Sequence, residues 1–240
     1  RNTRAFPPAN GRMDCIAHRG FAETHPENTL AAVRAAGGDG PGGDTDTGPT
    51  ADAVEVDIRR CGSGELVVIH DETVDRVTDG TGRVADHTLA QLHNLDVLGT
   101  GAGVPTLAEV FRAATVPLNV ELKERGLAGD ALERAAETGV DAWYSAFDPV
   151  AVEELRGHGG EAALLVAEDP REGLDRARRL DCAAVHPHHS LCDTGFVERA
   201  RAAGLAVNAW TARSRGAAAA PAAAGVDGLV VDAARYCQTG

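Results

Sequence analysis

The chain has 240 residues, and its 23 basic against 36 acidic side chains leave a formal charge of −13, which disfavours nucleic acid and anionic membrane as partners. Hydrophobic usage of 43% and charged usage of 25% are those of an ordinary globular protein, and the length admits one large domain, a barrel included, or two small ones. Only one of the 23 basic residues, Lys123, is a lysine. Arginine in place of lysine, aspartate in excess of glutamate and the acidic total look like a salt-adapted surface, so a halophilic protein is expected. Aromatic residues at 4% leave the core to aliphatic side chains. The cysteines at 15, 61, 182, 192 and 237 are odd in number and lack metal-type spacing, and they read as reduced thiols of a cytoplasmic protein. No run approaches the ~18 consecutive apolar residues of a membrane span, and the N-terminus has no signal-peptide core, so no integral membrane association is expected.

Residues 1–12 read as a polar N-terminal extension, with the natural start at Met13, and residues 13–240 as one domain. The strand candidates in chain order are Cys15–Ala17, Ala53–Ile58, Leu66–Ile69, Pro117–Leu122, Ala142–Ser145, Ala162–Ala167, Ala183–His186, Leu205–Trp210 and Gly228–Val231. Amphipathic segments such as Leu107–Ala114, Leu127–Thr138, Pro149–His158, Pro170–Leu180 and Thr194–Ala203 lie between most of them. That alternation predicts an α/β fold of parallel βα units. Residues 37–50, rich in Gly, Asp and Thr, read as a flexible insertion after the first helix. Only seven residues separate Ile58 from Leu66, too few for a parallel crossover, so this pair is a hairpin. A turn at Gly62-Ser63 would set His70 opposite Glu55 and Val68 opposite Asp57. The eight remaining strands predict a single (β/α)8 TIM barrel with a β-hairpin after strand 2. Gly216–Gly225 reads as a short helix broken at Pro221, and Gly99–Gly103, which follows no strand, is weak as a phosphate loop.

In such a barrel the chemistry sits at the C-terminal strand ends. Those ends carry His18 and Arg19, Glu55 and Asp57, His70 and Asp71, Glu121 and Lys123, then Ser145, His186, Trp210 and Asp232. Alternation along a strand puts Glu55 and Asp57 on one face and Val54, Val56 and Ile58 on the other. Asn119, Glu121 and Lys123 repeat the pattern. Three inward carboxylates without cysteine suit a hard cation, Mg²⁺ or Ca²⁺, and the same groups would also serve a structural ion-pair network with Arg19 and Lys123. His18 and His70 can exchange protons near neutrality, while Arg19 and Lys123 can hold phosphate oxygens. Together these describe phosphoryl transfer.

The ordered motifs His18-Arg19-Gly20, Pro26-Glu27-Asn28-Thr29, Glu55-Val56-Asp57, Val68-Ile69-His70-Asp71, Thr78-Asp79-Gly80-Thr81-Gly82, Pro105-Thr106-Leu107 and Glu121-Leu122-Lys123 resemble the glycerophosphodiester phosphodiesterases. The likeness continues through Ser145–Asp148, Asn208–Thr211 and Gly225–Gly228. The resemblance implies a TIM barrel that hydrolyses glycerophosphodiesters to glycerol phosphate and an alcohol with one Mg²⁺ or Ca²⁺. Carried over, Glu55, Asp57 and Glu121 would be metal ligands, His18 and His70 the acid/base pair, and Arg19 and Lys123 the phosphate holders. Glu27 would orient the first loop and touch Arg19; Trp210 would line the pocket, although as a residue it equally suits a core. Three departures stand out. Asp96–Gly103 is short and glycine-rich where many family members carry an aromatic wall, which predicts a more open pocket. The 37–50 insertion is long, and Ala233-Ala234-Arg235 replaces a frequent proline, a change expected to touch barrel closure more than chemistry. The alternatives are a lysophospholipase-D-like enzyme, for which no amphipathic or basic membrane-facing segment is present, and a non-catalytic ligand-binding barrel.

Overall fold

The computed structural model describes residues 12–38 and 51–237. The N-terminal extension except Arg12, and residues 39–50 of the insertion, lie outside the described residues. Strand β1 (Asp14–His18) is followed by helix α1 (Leu30–Ala36), whose first turn is capped by the Thr29 hydroxyl. β2 (Ala53–Arg60) turns back into β3 (Leu66–Val68). Two short helices follow, α2 (Leu89–His93) and α3 (Leu107–Ala113), and each opens with a threonine that exchanges hydrogen bonds with a residue three positions on. The chain then alternates through β4 (Leu118–Leu122), α4 (Ala128–Thr138), β5 (Ala142–Ala146), α5 (Pro149–Gly157), β6 (Ala162–Val166) and α6 (Pro170–Arg179). It ends with β7 (Ala184–Pro187), α7 (Thr194–Ala202), β8 (Ala206–Ala212), α8 (Arg215–Ala224) and β9 (Gly228–Val231).

Eight of these strands run parallel in the order β1-β9-β8-β7-β6-β5-β4-β2, and β1 pairs with both β9 and β2, so the sheet closes on itself. This is a TIM barrel. Val54, Val56, Ile58, Val120 and Leu122 point outward into the large core beneath the helices, as the alternation predicts. The apolar part of the barrel interior is a cluster of Ile16, Ala53, Trp143 and Val230, with a second, smaller cluster of Ala163, Ala184 and Ala206 on β6, β7 and β8. Large side chains therefore fill one side of the axis, and three neighbouring strands meet them with alanine. Gly228 belongs to this economy of space: a Cβ there would stand 2.5 Å from Asn208 Oδ1 and 2.9 Å from Ile16 Cδ1.

Four details differ from the sequence expectations. The β2–β3 hairpin is one residue out of the predicted register, because Val68 pairs with Ile58 rather than Asp57 and the strand ends before His70. Its turn spans three residues, closed by the Cys61 N–H on the Glu65 carbonyl at 3.0 Å, with Gly64 at φ +104°. A slip of one residue exchanges strand faces, so the extra turn residue decides which side chains look inward. Helix α8 runs through Pro221 and stops only at Gly225, which takes the left-handed conformation at φ 81°. Cys15 of β1 and Cys237 are joined by a disulfide across 222 residues, so the expectation of five reduced thiols is corrected; a strand residue meets the turn that follows the last strand. Finally, the segment after β2 has a core of its own, with Cys61, Val67, Ile69, Val74, Val77, Val84, Leu92, Val97 and Val104 packed together apart from the barrel.

Among the described residues no helix is long and apolar enough to cross a membrane.

Candidate active site

β2 and β4 pair in parallel register, with Asp57 beside Glu121 and Glu55 beside Asn119. Inward alternation then brings carboxylate oxygens of Glu55, Asp57 and Glu121 within 4.8 Å of one another. Glu55 is 4% exposed and Asp57 1%. Three buried carboxylates face two cationic side chains. Arg19 Nε lies 3.1 Å from Asp57 Oδ2; Lys123 Nζ lies 2.5 Å from Glu121 Oε1 and 3.4 Å from Asp57 Oδ1. The balance leaves negative charge over. Burial, then Asp57 and Glu121, pushes the Glu55 carboxyl well above the usual range, and burial with Asp57 pushes Glu121 up to about 7. Burial also opposes ionisation of Asp57, but Arg19 and then Lys123 hold its carboxyl well below the usual range.

The first loop is bent to reach this cluster. Arg19, Phe21 and Asn28 take left-handed φ values of 50°, 65° and 58°, each costing a non-glycine residue about 1–2 kcal/mol. In that conformation the Arg19 N–H donates to Glu55 Oε2 at 3.1 Å, its guanidinium donates to Glu27 at 2.9 Å, and the Asn28 amide donates to Asp57 Oδ2 at 2.9 Å. Gly20 (φ 81°) permits the close pass over α1, where a Cβ would meet that of Ala32 at 2.6 Å.

The two predicted proton carriers flank the carboxylates. His18 is 8% exposed; its Nδ1 is 2.5 Å from Asp232 Oδ1, and its Nε2 is 3.9 Å from Glu55 Oε2. His70 Nδ1 is 2.6 Å from Asp71 Oδ1. Burial lowers the His70 pKa, with Asp57 and Asp71 pulling the other way. His18, Arg19, Glu55, His70, Glu121, Lys123 and Trp210 all line one cleft of about 310 Å³. Its apolar lining is Phe147, Leu165, Trp210 and Val230, and no residue of Asp96–Gly103 contributes. Trp210 fulfils both readings of it, lining the cleft while packing against the interior cluster, with its indole N–H on the His186 carbonyl at 2.6 Å.

The donor set fits a hard divalent cation. All three candidate ligands offer oxygen, the chemistry Mg²⁺ and Ca²⁺ prefer, and Glu55 Oε1 is buried without a hydrogen-bond partner.

Known proteins resemble this chain in sequence and in fold. The model of the glycerophosphoryl diester phosphodiesterase family matches residues 18–145 and 144–235. The chain belongs to that family. It is therefore an enzyme, a phosphoric diester hydrolase. A glycerophosphodiester phosphodiesterase of Caldanaerobacter subterraneus subsp. tengcongensis is 30% identical over 235 residues, covering 90% of this chain and 93% of that protein. An Oleispira antarctica phosphodiesterase, solved in complex with the product sn-glycerol-3-phosphate, superposes with a TM-score of 0.80 at 28% identity, covering 98% of this chain and 96% of that one. A putative family member from Agrobacterium tumefaciens shares the fold at a TM-score of 0.83, with 21% identity over 94% of this chain and 96% of its own.

Within this member of the family, the structure adds residues to which the sequence reading gave no role. Asn28 and Asp71 lie in recognised motifs, so proximity in sequence was an available signal. Asp232 was visible only as a polar residue at a strand end, 214 positions from His18. Arg76, which binds Glu27 49 positions away, carried no signal of its own. Ser145 and His186 are buried, and His186 Nε2 accepts from the Asn208 amide at 3.1 Å.

Proposed function

We propose that the protein hydrolyses glycerophosphodiesters to glycerol phosphate and an alcohol, dependent on one divalent cation, Mg²⁺ or Ca²⁺, held by Glu55, Asp57 and Glu121. One observation carries this reading: three buried carboxylates, two imidazoles and two cationic side chains converge on one cleft. When bound, the cation supplies Lewis-acid neutralisation of phosphoryl oxygens. Arg19 and Lys123 hold the phosphate, the first as a fork and the second as a point charge. His18 and His70 form the proton-transfer pair, one imidazole accepting a proton from the attacking water, or from the glycerol 2-hydroxyl with water opening the cyclic diester afterwards, and the other returning one to the leaving oxygen. Asp232 and Asp71 fix the tautomers of these rings through Nδ1, which turns each Nε2 toward the reacting groups. Glu27 orients Arg19. Trp210 and Phe147 wall the ester arm. The glycerol phosphate seen in the Oleispira relative supports glycerol phosphate as the product here.

The cytoplasmic expectation rested in part on reduced thiols, and the Cys15–Cys237 disulfide removes that part of its support. The acidic coat supports activity in concentrated salt.

The test is direct. Purified protein with Mg²⁺ or Ca²⁺ releases glycerol phosphate from glycerophosphocholine or glycerophosphoethanolamine, and EDTA abolishes the release. Undiminished hydrolysis after EDTA overturns the metal assignment, and failure to cleave any member of a glycerophosphodiester panel overturns the substrate class.

A further inference from the structure

One guanidinium outside the cleft lining joins the two loops that carry the site. Arg76 lies in the segment that follows β3. Its Nε lies 2.5 Å from Asp71 Oδ2, and its two terminal nitrogens grip both oxygens of Glu27 at 2.7 and 2.9 Å. Each of those carboxylates is shared. Asp71 binds the ring of His70, and Glu27 Oε1 also accepts from Arg19, which in turn meets Asp57. The result is a continuous chain from imidazole to candidate metal ligand: His70, Asp71, Arg76, Glu27, Arg19, Asp57. Nothing else in it crosses from the segment after β3 to the loop after β1. A bidentate fork with a third donor on a second carboxylate is a geometry only arginine provides, and a lysine ammonium cannot reproduce it. The neighbouring pair Arg83–Glu72, at 2.6 Å, has both side chains about 60% exposed, whereas the half-exposed Arg76 reaches carboxylates that are only 13% (Glu27) and 27% (Asp71) exposed.

We infer that Arg76 is a positioning residue for the reaction, a latch that sets the ring of His70 and the guanidinium of Arg19 at the same time. The inference rests on the functional reading above for its kinetic consequence, but not for its structural one. Removing the latch deletes no group that touches substrate, but it lets two of them, His70 and Arg19, drift. A misplacement of about 1 Å costs a reaction about 10²-fold.

The experiment compares Arg76→Ala, Arg76→Lys and Arg83→Ala in the full chain. Arg76→Ala is expected to lower kcat about 10- to 100-fold with KM changed less than about 3-fold. Arg76→Lys should restore little, whereas millimolar guanidinium, but not ethylammonium, should restore part of the Arg76→Ala loss. Arg83→Ala keeps wild-type kcat. In parallel, ¹⁵N spectra of the metal-free protein read the His70 ring: wild type holds one tautomer, and Arg76→Ala shifts the ring nitrogens toward the average of a freely exchanging imidazole. An Arg76→Ala variant with wild-type kcat and unchanged ring resonances overturns the latch, as does a loss that follows the fall in Tm and is indifferent to guanidinium. If wild type cleaves no glycerophosphodiester, the functional reading fails alone, and the ring spectra still decide the latch.

Discussion

His18 and His70 face one cleft from two kinds of support. His18 rides on a barrel strand, buried, and its aspartate comes from beyond the last strand, so closing the barrel is what assembles that pair. His70 stands past the end of a short hairpin, its side chain a third exposed, on a segment whose apolar residues pack with one another rather than with the barrel. The difference teaches that the site is half scaffold and half attachment. The carboxylates and His18 inherit the rigidity of a closed sheet, while His70 inherits that of a small separate core plus the Arg76 latch.

The comparison is sharpened first at the chemistry. His18→Ala and His70→Ala should each lower glycerol phosphate release by about 10²- to 10⁴-fold. Unequal supports then serve equal roles, and an unimpaired variant at either position returns that histidine to a structural one. Next comes folding. Leu92→Ala in the attached core and Leu229→Ala in the barrel each remove a fully buried leucine and should cost about 2–5 kcal/mol. Hydrogen exchange distinguishes them: Leu92→Ala should unprotect residues 61–104 alone and abolish activity, while Leu229→Ala lowers protection throughout. A uniform loss in the first variant breaks the separation.

Two smaller effects belong to the barrel side. Denatured without reductant, the protein should titrate three thiols, Cys61, Cys182 and Cys192, and Cys15→Ser should cost about 2–4 kcal/mol in urea unfolding. Five titratable thiols dispose of the disulfide. Burial also lowers the pKa of His186 to about 3, so the folded state refuses a proton that the unfolded chain takes up near pH 6.5. Its contribution is complete above that value and is lost as pH falls from there toward about 3, with a slope of at most about 1.4 kcal/mol per pH unit. Unfolding of wild type and His186→Asn across that window measures it; identical slopes remove His186 as the cause.

Much of the barrel was legible because its signal is local. Val54-Glu55-Val56-Asp57 and Asn119-Val120-Glu121 declare their inward and outward faces within a few residues, and the hairpin follows from one short gap. The hairpin register was not legible, since it turns on whether the loop holds two residues or three, which Gly62-Ser63-Gly64 leaves undecided until the His87 carbonyl accepts the Gly62 N–H at 2.7 Å. The attached core was hidden because Val74, Val77, Val84, Leu92, Val97 and Val104 are single apolar residues without a period. Asp232 and Arg76 were hidden for a different reason: a hydrogen bond between distant residues has no trace in spacing. Proline at 221 suggests a break, yet the stop comes from the left-handed Gly225.

The lysine that stands alone in the sequence gives the lining of the cleft a chemical label of its own. An acylating reagent meets only two kinds of amine on this chain, the α-amino group and Lys123. Paired with Glu121 and Asp57 and largely shielded, the ammonium is held in its unreactive charged form, its pKa raised against the opposing effect of burial by Asp57 and Glu121. A single added acyl mass therefore marks intact molecules and a second marks those whose site has come apart, so mass spectrometry counts assembled active sites without any substrate.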